Sequence, residues 1–215
     1  MTFARPEESR AFRRKLDGVR KGRYGALTVW RGNIGKTPLT IIHTGIGPAA
    51  AERAIRELLA HEKPRRVISA GFAGGLDPAL QAGDTLTADF PTPLILSRSI
   101  PLETPAEKVG AFRETGARIV DMETDIIGAA CAGAGIPLTA VRAVSDAADE
   151  LLPVPFGAWF DTARQRARPF ALVAHLLRHP SHIAPFARFV LRLPRVAEAL
   201  AQAIEAALGE RTRSD

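Results

Sequence analysis

Cysteine is almost missing from this sequence: Cys131 is the only one. That excludes an internal disulfide and any thiolate cluster around a metal, and it fits a reducing compartment, so a cytoplasmic setting is expected. Aromatic residues are also few, 6% of the chain, and they are not interleaved with the basic residues as a stacking platform for nucleic acid requires, so no nucleic-acid partner is expected. Long apolar runs are absent. No stretch approaches the roughly twenty residues that cross a bilayer, and the start, Met1 to Lys15, is charged rather than apolar; neither a transmembrane helix nor a signal peptide is expected. Internal repeats and low-complexity tracts are lacking as well.

What is present is an ordinary globular balance, 46% apolar and 24% charged among 215 residues. This excludes a disordered chain and makes one domain with a sizeable core the default. The net charge of +6 is uneven: residues 1–36 hold ten Lys/Arg against three Asp/Glu, residues 151–215 nine against five, and residues 37–150 ten against fifteen. The positive excess therefore belongs to the two ends. It reads either as a solvated basic rim or as a surface for an anionic partner such as a membrane.

Short apolar runs bounded by Gly or Pro alternate with helical patterns over residues 24–150, which predicts an α/β layered domain around a central sheet. Tyr24 to Arg31, Leu39 to His43, Val67 to Ala70, Ala117 to Asp121 and Leu138 to Ser145 read as strands. Ala49 to His61, Thr104 to Thr115 and Glu123 to Ala134 read as helices. Beyond Asp149 the pattern changes to proline-punctuated helices over Phe170 to Arg178, Ile183 to Arg192 and Pro194 to Leu208, the last with Val196, Leu200, Ile204 and Leu208 on one face. The expected layout is a core over 1–150 and a helical extension over 151–215 packed on the same domain.

Three constellations carry side chains suited to chemistry. Asp121-Met122-Glu123-Thr124 falls at a strand-to-helix junction, where a glutamate can face a cleft and a methionine can pack on a flat apolar ligand; complementing the helix dipole explains the glutamate equally well. Val141 to Asp149 delivers Arg142, Ser145 and Asp146 at a strand's carboxyl end, where open α/β sheets tend to place their sites, although an Asp there also serves as a turn or cap. The glycine turns Thr44-Gly45-Ile46-Gly47-Pro48 and Gly71-Phe72-Ala73-Gly74-Gly75-Leu76 let backbone N–H groups approach a ligand oxygen. Tight strand-to-helix packing is the alternative for both.

In this order and spacing the three constellations resemble the signature of the purine nucleoside phosphorylase superfamily, above all its methylthioadenosine and adenosylhomocysteine nucleosidase branch, over Thr44 to Asp89 and Val120 to Asp149. The resemblance implies a three-layer α/β/α sandwich with a central mixed sheet, and cleavage of the bond between a purine and a ribose with no cofactor and no metal. It implies that Asp146 protonates the five-membered ring of the departing purine, that Glu123 holds the ribose hydroxyls and that Met122 packs beneath the sugar. Arg142 and Ser145 would steady the nucleophile or the catalytic Asp, with Gly45, Gly47, Ala73 and Gly74 along the substrate. Glu8, in Arg5-Pro6-Glu7-Glu8, would correspond to the acidic residue that activates water; two exposed glutamates opening a helix are the alternative. A homo-oligomer is implied, because relatives commonly complete the pocket with a neighbouring subunit.

The nucleosidase form of the second glycine turn reads Gly-Ser-Ala-Gly-Gly, and here Phe72 takes the Ser position. Water is favoured over inorganic phosphate as co-substrate, with a phosphate-dependent phosphorylase and a non-catalytic nucleoside-binding relative as alternatives. The chain departs from the family in having a lost or shortened first strand, and fewer than thirty residues between Asp89 and Ala117 where relatives carry a longer insert. The base pocket must be built differently, or be open. The basic C-terminal helices resemble the tails of the hopanoid-associated phosphorylase-like branch, whose substrate is taken to be adenosine joined to a polycyclic lipid. That would suit a bulky hydrophobic 5′ substituent and peripheral contact with the inner membrane face. His175, His179 and His182 have metal-compatible spacing but basic, proline-broken surroundings without carboxylates, so no metal site is expected. Trp159, Phe160, Phe170, Phe186 and Phe189 are expected in the core or an interface, and Cys131 as a small buried hydrophobe.

Overall fold

Strands and helices alternate as the hydrophobic pattern requires in the computed structural model, which describes residues 1–209. In chain order the elements are β1 (Thr2–Phe3), α1 (Pro6–Arg13), β2 (Asp17–Tyr24), β3 (Leu27–Ile34), β4 (Thr37–His43), α2 (Pro48–His61), β5 (Val67–Gly75), β6 (Thr85–Asp89), β7 (Ile95–Ser97), α3 (Pro105–Thr115), β8 (Ile119–Asp121), α4 (Thr124–Gly133) and β9 (Leu138–Asp146). There follow α5 (Phe156–Trp159), a small ribbon of β10 (Phe160–Asp161) with β11 (Arg166–Ala167), α6 (Pro169–Arg178), a 3-10 turn (Pro180–His182) and α7 (Ile183–Gly209). The last six positions of the expected C-terminal extension, 210–215, lie outside the described residues.

β1 to β9 form one mixed sheet, ordered β2-β3-β4-β1-β5-β8-β7, with β9 paired to β5 and β6 to β9. Period-two alternation assigns neighbouring residues to opposite faces. Ile41 and Ile68 join Phe3, Phe12, Leu200 and Ile204 on the face covered by α1 and α7, whereas Ile42 and Val67 join Ile55, Leu58, Ile127 and Cys131 on the face covered by α2 and α4. The result is the three-layer α/β/α sandwich expected from the sequence. The first strand is indeed short, yet it is central: Thr2 and Phe3 pair in parallel with Ile42 and His43 of β4, and Thr2 also pairs with Ser69 of β5.

Two readings of the sequence need correction. The single strand expected over Tyr24 to Arg31 is broken by a hairpin turn at Gly25, whose φ of 50° suits glycine, and β2 precedes it. β2 escaped notice because it is an exposed edge strand, Asp-Gly-Val-Arg-Lys-Gly-Arg-Tyr, charged where an interior strand would be apolar. Pro194 does not separate two helices, since α7 runs through it from Ile183 to Gly209; the missing N–H costs one helical bond, and the packing of Val196, Leu200 and Ile204 offsets it. Phe170, expected in the core or an interface, is not in the core of the chain, being 89% exposed.

Candidate active site

Strand register brings the chemistry-bearing segments together. At the end of β5, Gly74 pairs with Val120 of β8 and with Asp146 of β9. The segment leading to Glu123 and the segment ending in Asp146 thus lie on either side of one glycine. A Cβ on Gly74 would stand 3.1 Å from Val120 Cγ1 and 3.4 Å from Asp146 Oδ2, so a side chain here would press on both neighbours. This is the physical reason for glycine at this place in the turn.

Asp146 is buried and held at both oxygens. Lys108 Nζ lies 2.6 Å from Oδ2, and Ser145 Oγ donates to Oδ1 at 2.6 Å. Lys108 is fully buried, and its ammonium also donates to the carbonyls of Ala147 (2.9 Å) and Glu150 (2.8 Å), so all three of its protons are used. The sequence reading missed this residue. The available signal was its place on the inward face of α3, three residues before buried Ala111, in a helix fixed by the Thr104–Glu107 capping box.

Glu123 sits at the cap position of α4 and accepts the Gly47 N–H at 2.6 Å. Burial pushes its carboxyl up to about 7, and the neighbouring Asp121 charge adds to that. Glu8 is buried on α1; its oxygens accept the N–H groups of Phe72 (3.1 Å) and Arg5 (2.9 Å). Burial raises its pKa, with those amides and Arg142 opposing the rise. Gly71 leaves room for it, because a Cβ there would stand 3.2 Å from Oε1. Of the two N-terminal glutamates, Glu8 is therefore inside, while Glu7 is exposed and paired with Arg5 at 3.1 Å.

Arg142, expected to steady the nucleophile or the catalytic Asp, makes its contacts with Asp121 rather than with Asp146. Its guanidinium is buried beside Asp121 (Nε to Oδ2, 2.8 Å), Ser69 (to its carbonyl at 2.7 Å and its hydroxyl at 2.9 Å) and Thr124 (2.7 Å). Asp121 in turn accepts from Ser97 at 2.6 Å and from the Thr124 hydroxyl. This network ties β5, β7, α4 and β9 together behind the carboxylates. Two amides of the glycine turns hold the chain's own carboxylates, Gly47 for Glu123 and Phe72 for Glu8. Ile46 is clasped by Gln165, whose amide accepts its N–H at 2.8 Å and donates to its carbonyl at 2.7 Å.

Glu8, Glu123 and Asp146 line one cavity of about 370 Å³, with Met122, Ala73, Gly74 and Ser145 beside them; Gly45, Gly47 and Arg142 stand outside its wall. Among the described residues Arg5 is the one cation lining that cavity, together with Glu7, Glu8, Asp121, Glu123 and Asp146. It is engaged by Glu7 and stacks over Trp159 at 5.5 Å. The opposite wall is apolar, formed by Trp159, Leu172, Phe186, Phe189 and Leu193. Trp159, Phe186 and Phe189, expected in core or interface, thus face the cavity. A second void of about 10 Å³ shares Glu8, Phe72 and Glu123 with the large one and is closed by Arg142, Ser69 and Thr44. It is the size of one water and has polar walls.

A mixed α/β sheet that gathers three carboxylates at its strand ends, around a pocket sized for a small organic molecule, defines an enzyme of small-molecule chemistry. The chain belongs to the phosphorylase superfamily, whose family model matches residues 2–89 and 94–178. Among solved structures it is similar to the 5′-methylthioadenosine/S-adenosylhomocysteine nucleosidase of Helicobacter pylori, at 16% identity over 97% of this chain and 96% of that one, with a TM-score of 0.71. Futalosine hydrolase of the same organism matches at 17% identity, 97% and 96% coverage and a TM-score of 0.70. The 5′-methylthioadenosine/S-adenosylhomocysteine nucleosidase of Neisseria meningitidis matches at 18% identity, 94% coverage of each chain and a TM-score of 0.67. At such identities the likeness is one of fold.

Proposed function

We propose that this protein hydrolyses the N-glycosidic bond of a purine nucleoside that carries a bulky apolar group at its 5′ side. The observation that carries this reading is the convergence of Glu8, Glu123 and Asp146 on one cavity, with a water-sized polar void between the first two. The similar structures named above are nucleosidases and a hydrolase, which supports the same chemistry.

In this reading Asp146 first takes up a proton from solvent, and the C1′–N bond breaks as it passes that proton to the purine's five-membered ring, so the base leaves neutral. The Lys108 ammonium stabilises the carboxylate that remains on Asp146, and Ser145 keeps the group oriented. Positive charge develops on the ribose, and an acid-rich wall with a single, already engaged cation stabilises it. Glu123 accepts the ribose hydroxyls and Met122 packs beneath the ring. A water beside Glu8 attacks C1′ and passes its proton to that carboxylate. Arg142 acts from behind, as the cation that keeps the buried acids in place.

The same wall argues against phosphate as the attacking group. A phosphate dianion beside five carboxylates needs cationic donors, and Arg5 is already paired with Glu7. Phe72 supplies no hydroxyl. The aromatic and aliphatic wall at the far end accommodates the 5′ substituent, since it offers mostly apolar surface, with the Trp159 indole N–H its one polar group among the described residues. The test is product analysis on a panel of purine nucleosides with and without inorganic phosphate. Free ribose or its 5′-substituted form, at a rate independent of phosphate, is expected; a phosphate-dependent sugar 1-phosphate would replace this reading with phosphorolysis.

A further inference from the structure

We infer that the outward face of α6 and the first half of α7 docks on an anionic lipid bilayer, with the cavity opening toward it. Residues 162–197 contain seven arginines and not one Asp or Glu. No residue from Asp161 to Arg195 is buried, although this stretch includes two helices rich in leucine, valine and phenylalanine. On α6 the exposed apolar residues are Phe170, Val173 and Leu177, spaced at i, i+3 and i+7; on α7 they are Ile183, Val190 and Leu191, spaced at i, i+7 and i+8. Each helix thus shows one apolar stripe to the outside. Its other side meets the cavity, through Leu172 on α6 and through Phe186, Phe189 and Leu193 on α7.

Charge selects the occupant. Arg188 and Arg195 flank Leu191 at three and four residues' distance, on the same side of α7, and Arg178 follows Leu177. None of these three arginines forms an ion pair among the described residues. An apolar stripe edged by unpaired arginines over a carboxylate-free stretch fits the headgroup layer of an acidic membrane, where the aliphatic and aromatic groups enter the acyl boundary and the guanidinium groups meet phosphate. Such a surface suits a neutral or acidic protein partner less well, because six exposed apolar side chains without a single carboxylate offer no alternating charge to set a register. No helix of the described residues is long and apolar enough to span the membrane, so the contact is peripheral.

Val190 joins docking to chemistry. It is 43% exposed on the outward stripe and also lines the cavity, so the pocket's apolar end reaches the surface at this face. A lipid-like 5′ group could then pass from bilayer to pocket without crossing water. This delivery step rests on the proposed function, whereas the docking itself does not.

The two are separated by measuring lipid binding without substrate. Vesicles of phosphatidylcholine with 30–40% phosphatidylglycerol, roughly the acidic content at which basic surfaces partition, are sedimented with the full chain beside vesicles of phosphatidylcholine alone. Binding to the acidic vesicles is expected, with loss as salt rises. Arg188→Gln and Arg195→Gln should each weaken it about fivefold, and Leu177→Asp or Leu191→Asp about tenfold. All four side chains lie outside the cavity and are not buried, so cleavage of a water-soluble purine nucleoside should be unchanged. Equal binding to both vesicle types, or no effect of the Leu substitutions, would overturn the inference. So would absence of lipid binding together with a shift from oligomer to monomer in Leu191→Asp, which would make this face a contact between copies of the chain.

Discussion

In the second half of α7, Val196, Leu200 and Ile204 are all but fully buried against the sheet and α1, whereas the first half of the same helix, from Ile183 to Arg195, buries no residue. The cavity shows the same division. Its floor, at the strand ends, is built of side chains with their hydrogen-bonding capacity engaged: Asp146 by Lys108 and Ser145, Glu8 and Glu123 by backbone amides, Asp121 by Arg142. Its roof has almost no polar fixings. The difference teaches where each requirement is met. Bond breaking needs groups placed in advance by rigid elements, because misplacement directly costs rate. Accommodating a variable apolar group, or a bilayer, needs only surface.

The sharpest way to break this contrast is at the floor. Asp146→Asn should lower kcat by about 10² to 10⁴, with a much smaller change in KM, in a steady-state assay on any accepted nucleoside; a loss under tenfold would remove Asp146 from the chemistry. Next is the buried ion pair. Lys108→Met strands a buried carboxylate and should cost about 3–5 kcal/mol of unfolding free energy, read by urea denaturation. Combining it with Asp146→Asn should recover a large part of that loss, since the double variant buries no unpaired charge.

The third test compares the two halves of α7 directly. Leu200→Ala in the packed half should cost about 2–5 kcal/mol, while Leu191→Ala in the open half should stay within about 0.5 kcal/mol. Similar costs at both sites would show that the first half is covered in solution. The smallest effect concerns Glu123. Its folded pKa, about 7, exceeds the ordinary 4.5, so between these values the native state binds more protons than the unfolded one. Stability from this group therefore falls as pH rises through that window, and the penalty is complete above 7. Glu123→Gln should melt higher than the parent at pH 8, by the equivalent of about 1–3 kcal/mol, with the advantage fading toward pH 4.5. In the parent, kcat/KM should fall below pH 7 as Glu123 takes up its proton, and the variant should lack that limb.

Much of the fold was legible because it rests on local signals. Glycine and proline mark the strand ends, short apolar runs mark β4, β5 and β9, and the 3.6-residue period marks α2, α3 and the packed part of α7. The positions of Glu123 and Asp146 followed from the same signals, since a polar residue directly after a buried strand falls at the sheet's carboxyl edge. The failures arose where a residue's role depends on partners distant in sequence. Lys108 looks like any helix-surface lysine until β9 and its following turn supply three acceptors. Arg142 sits four residues before Asp146, a spacing that simple alternation would leave on one face, yet the register shift between Val144 and Asp146 and the pull of Asp121 turn it behind the site. β2 has no apolar periodicity because only its backbone, not its side chains, joins the sheet.

Gly74 has one further meaning. The spacing between Asp146 and Glu123, the acid and the sugar-holding group of the proposed reaction, is set by main chain, by how closely two neighbouring strands can approach a residue with no side chain. Substitutions elsewhere along β8 or β9 can alter what those groups do, but they leave that gauge untouched. Variation in the pocket's roof can therefore retune which molecule enters without detuning how its bond is cut.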